Sequence, residues 1–314
     1  MSRILTVAAA QLGPIQRCDN RASVVGRMME LIRQAAHHQV ELMVFPELSL
    51  TTFFPRWYME DQAEIDSFFE REIPSNETAP LFSLAREHGV AFSLGYAELV
   101  SDNGSVRRFN TQILVDASGA IVNKYRKIHL PGHREHEPWR AFQHLEKRYF
   151  EVGDLSWPVR ETMGARLGMM ICNDRRWPES YRVMGLQGVD MILLGYNTPR
   201  PNPPAPDHDR LSDFHNHLVM QAGAYQNATW VVGVAKAGVE EGCDLIGGSA
   251  IIAPTGEIVA QAATQADELI VARCDLDMAA SYRATTFNFA RHREPDQYRM
   301  VVERKGVGPL LGEP

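Results

Sequence analysis

The chain has 314 residues, of which 45% are hydrophobic and 23% charged, enough for one large or two ordinary domains around a substantial core. A formal net charge of −7 and a pI near 5.9 argue against nucleic acid or an anionic membrane surface as the main partner, which leaves small molecules. Cysteines at 18, 172, 243 and 274 show neither C-x-x-C nor paired spacing, so no disulfide framework or zinc knuckle is indicated and a reducing cytoplasm fits.

In chain order, Arg3 and the apolar Ile4–Ala10 imitate a short signal peptide. The run enters Gln11-Leu-Gly-Pro as a strand enters a loop, and we read it as the first core strand. No stretch approaches the ~18 apolar residues of a membrane helix. An amphipathic helix is expected over 21–37, a buried strand over 42–45 ended by Pro46-Glu47, a helix over 77–88 and a strand over 90–96. Strands 112–115 and 121–125 form a hairpin across Asp116-Ala-Ser-Gly119.

A comparable series follows: strand 167–172, helix 178–186, strand 191–195, helix 213–226, strand 229–235, and a hairpin of 249–253 with 258–260. The wording repeats as well. Ile113–Val122 matches Ile251–Val259, and Val40–Phe45 matches Val189–Leu194, so two related halves are expected. Each half calls for a mixed sheet covered by helices, and two such sheets packed together give an α/β four-layer α-β-β-α sandwich. We expect one domain over 1–314, with a tail from about 301. The polar insertions 51–76 and 130–153 are the natural walls of a binding site, and 199–207 is a stiff surface loop.

Three reactive side chains fall just past strand ends, where ligands of α/β sheets gather: Glu47, Lys127 and Cys172. Cys172 stands at a strand-to-helix corner, facing the positive end of the helix that Trp177-Pro-Glu179 begins. A thiol there is a candidate nucleophile, and equally a small buried apolar residue. If the three converge, Glu47 can take the thiol proton and later activate water, while Lys127 holds the oxyanion of a tetrahedral intermediate.

Phe45-Pro-Glu47, Lys124-Tyr-Arg-Lys127 with His129-Leu-Pro131, and Ile171-Cys-Asn-Asp-Arg175 resemble the three signature segments of the nitrilase superfamily of carbon–nitrogen hydrolases, in the family order. The resemblance implies that superfamily's sandwich fold, a Glu-Lys-Cys triad at Glu47, Lys127 and Cys172, and a further acidic residue at Glu146. Segments including Thr51–Trp57, Arg108-Phe-Asn-Thr111, Phe142–Phe150, Gly195–Pro199 and Phe287-Asn-Phe resemble the N-carbamoyl-D-amino acid amidohydrolases over almost the whole chain. Implied are hydrolysis of N-carbamoyl-D-amino acids, no cofactor, and a homo-oligomer, commonly a tetramer.

Such a substrate offers a ureido carbonyl to attack and a carboxylate to hold, which suits a planar bidentate donor. Arg175 and Arg176 are the candidates, with at least one expected to face substrate; Asn173, Asn197 and Thr198 are candidates for the ureido or carboxylate group. His129 and His144 are expected to hydrogen-bond within the pocket wall, and His215 to support a loop. No H-E-x-x-H pattern points to a metal. The rivals are a β-ureidopropionase, a carbamoylputrescine amidase or a simple amidase, and, outside enzymes, a binding or assembly protein that retains the fold.

Overall fold

The apolar run at the N-terminus is buried on both faces because it lies inside a layered structure. In the computed structural model, which describes residues 2–102 and 104–310, β1 (Ile4–Gln11) turns Leu5, Val7 and Ala9 into one core and Ala8 and Ala10 into another. That is the two-residue period of a strand with no solvent side. The next strands are β2 (Leu42–Val44), β3 (Ala91–Asp102), β4 (Ser105–Val115) and β5 (Ile121–Arg126). The second half contributes β6 (Arg160–Thr162), β7 (Ala165–Ile171), β8 (Met191–Tyr196) and β9 (Trp230–Ala235). A small separate hairpin of β10 (Ala237–Glu240) and β11 (Cys243–Ile246) comes next, then β12 (Ala250–Ile252), β13 (Ile258–Gln261) and β14 (Glu268–Asp275).

Two six-stranded sheets result, ordered β14-β1-β2-β3-β4-β5 and β13-β12-β9-β8-β7-β6. Each carries three parallel strands, then two antiparallel ones, with an antiparallel strand on the opposite edge. The sequence echoes fall on equivalent places: β2 with β8, and the β4–β5 hairpin with the β12–β13 hairpin. The sheets pack face to face through one continuous core that includes Val7, Leu42, Leu114, Met169, Leu193 and Val232. The helices Arg21–His37 and Ala79–His88 cover the first sheet. The helices Pro178–Gly185 and Ser212–Asn227 supply Tyr181, Met184, Met220 and Ala224 to the second half's packing. This is the expected four-layer α-β-β-α sandwich. Asn20 caps the first helix by accepting from Ser23 N at 2.8 Å.

The two polar insertions meet each other. Phe54 stacks on Phe68 at 4.7 Å between centroids and is bordered by Phe69, Tyr149 and Phe150, forming a satellite core that anchors both insertions. Strands β3 and β4 run 12 and 11 residues, longer than their apolar stretches, because the pair continues past the core as a hairpin. Of the expected tail, residues 311–314 lie outside the described residues, and 299–303 form a short helix. Among the described residues no helix is long and apolar enough to cross a membrane.

Candidate active site

Glu47 follows β2 by three residues, and its backbone is wedged between the sheets by two glycines. A Cβ on Gly95 of β3 would lie 2.6 Å from Pro46 O and 2.9 Å from Glu47 Cα; a Cβ on Gly195 of β8 would lie 2.6 Å from Glu47 N. Only glycine permits this approach. Gly195 in turn pairs with Ile171, the last residue of β7, so the register delivers Cys172 to the same end of the interface. The Glu47 carboxylate is fully buried. Its Oε1 accepts from Lys127 Nζ at 2.7 Å and from Asn110 Nδ2 at 2.8 Å. Its Oε2 is buried with no hydrogen-bond partner among the described residues.

Lys127 lies one residue past β5 and is also fully buried. Its ammonium donates to Glu47 and, at 2.6 Å, to Glu146 Oε2, which a short helix at 146–149 presents. Burial acts to lower the lysine pKa, but the charges around it, Cys172, Glu146 and Glu47, prevail and hold it above the ordinary lysine value. Two of its three N–H bonds are engaged, leaving one for a ligand. Glu146 is pushed up to about 7, chiefly by burial and also by the neighbouring Glu47, with Lys127 pulling the other way. Three charged groups therefore share a dry site with a single cation between two carboxyls.

Cys172 is 4% exposed and adopts φ +48°, a left-handed conformation that costs a non-glycine residue about 1–3 kcal/mol. It opens a five-residue 3₁₀ turn, Cys172–Arg176, and the α-helix begins only at Pro178. The helix thus starts where the sequence places it, with the 3₁₀ turn standing between the thiol and its N-terminus. Burial and then the Glu47 charge push the thiol up from its ordinary value, with Lys127 and Arg175 opposing. Taking the proton from this sulfur therefore calls for a nearby base.

The 3₁₀ turn is held from below. Asp174, fully buried, accepts from Tyr125 Oη at 2.7 Å, Ile171 N at 3.0 Å and His129 N at 3.0 Å, and lies 2.8 Å from His129 Nδ1. The His129 ring is thereby fixed and stacks on Trp177 at 5.1 Å. Arg175 departs from its expected role. Its buried guanidinium donates to Cys172 O at 2.6 Å, Asn216 Oδ1 at 3.0 Å and Thr198 Oγ1 at 2.9 Å, and lies over the Tyr196 ring. These contacts make it a strut for the nucleophile turn instead of an open carboxylate donor.

Arg176 is exposed, contacts Asn173 Oδ1 at 3.2 Å, and has no carboxylate partner among the described residues. Asn173 has both ends of its amide engaged, donating to His129 O at 3.1 Å and accepting from Arg176. Asn197 Oδ1 accepts from Arg56 Nη2 at 3.2 Å, while its Nδ2 is buried without a partner among the described residues. His144 is pushed down to about 3 by burial and by the cations Arg56, Lys127 and Arg176. Its carbonyl accepts from His133 N at 2.8 Å. The His215 ring is tilted against that of Phe214, and His217 Nε2 lies 3.0 Å from Gly248 O.

Two cavities flank the turn. One of about 520 Å³ touches Arg175 and Arg176, and one of about 1190 Å³ touches His129 and Asn173. Among the described residues no group of three or more His, Cys, Asp or Glu side chains is placed to hold a metal ion. Of the residues expected from position, Glu47, Lys127 and Cys172, and the one implied by resemblance, Glu146, the fold joins the two carboxylates through Lys127 and leaves Cys172 within the reach of their charges. Reading the sequence missed Asn110, Asp174 and the buried Arg56–Glu240–Lys236 group, which only three-dimensional packing brings to the site.

The layered fold and this Glu-Lys-Glu-Cys arrangement define a class of thiol-bearing α-β-β-α proteins. The family model described as carbon-nitrogen hydrolase matches residues 6–284, and the chain belongs to that family. An N-carbamoylputrescine amidase of Arabidopsis thaliana is 31% identical over 92% of this chain and 93% of its own length. Among solved structures, a carbon-nitrogen hydrolase from Helicobacter pylori G27 superposes with a TM-score of 0.82 at 22% identity, covering 96% of this chain and 99% of that one. An amidase from Nesterenkonia sp. AN1, with an acetamide moiety added covalently at its active-site cysteine, gives 0.69 at 18% identity over 94% and 95%.

Proposed function

We propose that the chain is an amidase that cleaves the ureido C–N bond of an N-carbamoyl compound through a covalent intermediate on Cys172. The supporting observation is the division of labour on Glu47: Lys127 and Asn110 hold one oxygen, and the other is buried with no partner among the described residues, an acceptor awaiting a proton. Glu47 Oε2 takes the thiol proton as the sulfur attacks the carbonyl carbon, and the third Lys127 N–H supports the oxyanion. The proton passes to the departing nitrogen and ammonia leaves. Water deprotonated by Glu47 then cleaves the S–C bond, and the released carbamate loses carbon dioxide to give the amine. Glu146 keeps Lys127 in place and charged.

For the rest of the substrate, an exposed Arg176 without a carboxylate partner among the described residues favours a carboxylate, hence an N-carbamoyl amino acid. The D configuration rests on the resemblance of the chain's segments. A second reading, N-carbamoylputrescine hydrolysis, has the stronger support from relatives such as the Arabidopsis enzyme. Glu135, Glu151 and Glu179 around the larger cavity would suit its cationic end. Ammonia release from N-carbamoyl-D-phenylalanine, its L enantiomer and N-carbamoylputrescine, measured side by side, separates them. Turnover of none would refute the carbamoyl reading. We also infer a homo-oligomer, because Phe214, Leu218 and Tyr225 expose one apolar face of the 212–227 helix.

A further inference from the structure

Beside the site lies a buried charged group that the proposed chemistry does not use. Glu240, on β10, is fully buried and accepts four hydrogen bonds. Its Oε1 takes Arg56 Nη1 at 2.8 Å and Phe53 N at 2.8 Å; its Oε2 takes Ile15 N at 3.0 Å and Lys236 Nζ at 3.0 Å. Lys236 also donates to Thr51 O at 2.8 Å. Two cations against one carboxylate leave a positive excess in a dry region, and burial of this kind is costly unless every group is held. Arg56, 2% exposed and lying over the Phe53 ring at 5.0 Å, is thus immobilised at the base of the first insertion.

Its other fork nitrogen reaches Asn197 Oδ1 at 3.2 Å. A guanidinium has donors and no acceptor, so only the amide oxygen of Asn197 can face it, and the NH₂ must face away. Where it faces follows from the strand. Gly195 directs its Cβ position at the Glu47 backbone, and Asn197, two residues on, continues the same side beyond the end of β8. Thr198 projects the other way, to Arg175. The NH₂ of Asn197 is buried and unpartnered among the described residues. An unpaired buried donor is expensive, and such a group marks a place that a ligand completes.

We propose that Arg56, clamped by Glu240, is a positioning residue that sets substrate specificity by locking Asn197 with its NH₂ turned into the site as donor to an acceptor oxygen of the substrate. The inference rests on the amidase reading of the site. It makes Arg56 act through Asn197 and touch no substrate atom itself.

The test is a double-mutant cycle on Arg56→Lys and Asn197→Ala, with kcat and KM measured on N-carbamoyl-D-phenylalanine. Arg56→Lys keeps a cation against Glu240 while removing the planar fork. Each single change is expected to raise KM about tenfold with kcat nearly unchanged, the loss of one hydrogen bond. The double variant is expected to be no worse than Asn197→Ala alone. Losses that multiply would overturn the proposal. Should wild type leave that compound intact, the cycle is run on whichever of the L enantiomer and N-carbamoylputrescine it turns over; if it turns over none of the three, the carbamoyl reading fails and propionamide takes their place. Should Arg56→Lys not fold, Asn197→Asp decides: it keeps the acceptor for Arg56 and removes the donor, so a wild-type KM for the substrate used in the cycle would overturn the proposal.

Discussion

Lys127 is held between two carboxyls, and which of its partners is removed decides what fails. Glu146→Gln removes charge but keeps an acceptor, so the ammonium tilts toward Glu47; we expect kcat to fall ~10²-fold or more with the fold intact, checked by steady-state kinetics and circular dichroism. Cys172→Ala should abolish turnover, a loss of at least ~10⁴-fold, while its Cβ keeps the left-handed residue's strain as it is. His144 gives a pH signature. An unfolded histidine titrates near 6.5, whereas the folded one is pushed down to about 3. Between those values the unfolded chain holds a proton that the folded chain refuses, so this term costs stability as the pH falls through the window. Glu146, pushed up to about 7 from 4.5, works oppositely, its contribution falling as pH rises through that range. Urea midpoints for His144→Gln should therefore decline less than wild type's on going from pH 6.5 toward about 4. An equal decline would show that His144 carries no such term.

The strand ends position the site, and Gly195 is where the two halves meet. A methyl there collides with the Glu47 amide, so Gly195→Ala should cost about 1–3 kcal/mol and a larger fraction of the activity, as Glu47 is displaced. Gly26→Ala, within the 21–37 helix and with nothing within 4 Å, should instead stabilise by about 0.5–1 kcal/mol; thermal denaturation of the pair checks both. This scale also shows what a sequence can disclose. The core strands β1, β2, β7, β8 and β9 are legible because both faces are mostly buried, giving predominantly apolar runs that give way to polar residues or proline. β14 was not, since it is half-buried along most of its length and mixes Glu268, Arg273 and Asp275 with apolar residues. The β10–β11 hairpin is not legible because it is held by contacts distant in sequence, Glu240 with Ile15 and with Phe53 and Arg56 of the first insertion. At the site, Glu47, Lys127 and Cys172 were legible from position and from resemblance. Arg175 misled, for its neighbour Arg176 shares its charge and only the turn's geometry decides which of them points inward.

Across the whole molecule, a net charge of −7 surrounds a site whose buried and lining groups include Lys127, Arg56, Arg175, Arg176 and Lys236. The duplicated sheet order explains how a chain of this length can bury so many charges: two layers of strands on either side provide the dry frame in which they pair. The apolar stripe of Phe214, Leu218 and Tyr225 belongs to this scale too. Phe214→Glu is expected to lower the molar mass seen by size-exclusion chromatography with light scattering, while a wild type that already runs as a 35.3 kDa monomer would contradict assembly through that face. The most direct measurement concerns one sulfur. Iodoacetamide is itself a small amide, and activity should vanish in proportion to carbamidomethylation of Cys172, more slowly when an accepted substrate is present. Full activity in protein whose Cys172 is completely alkylated would contradict its role as nucleophile.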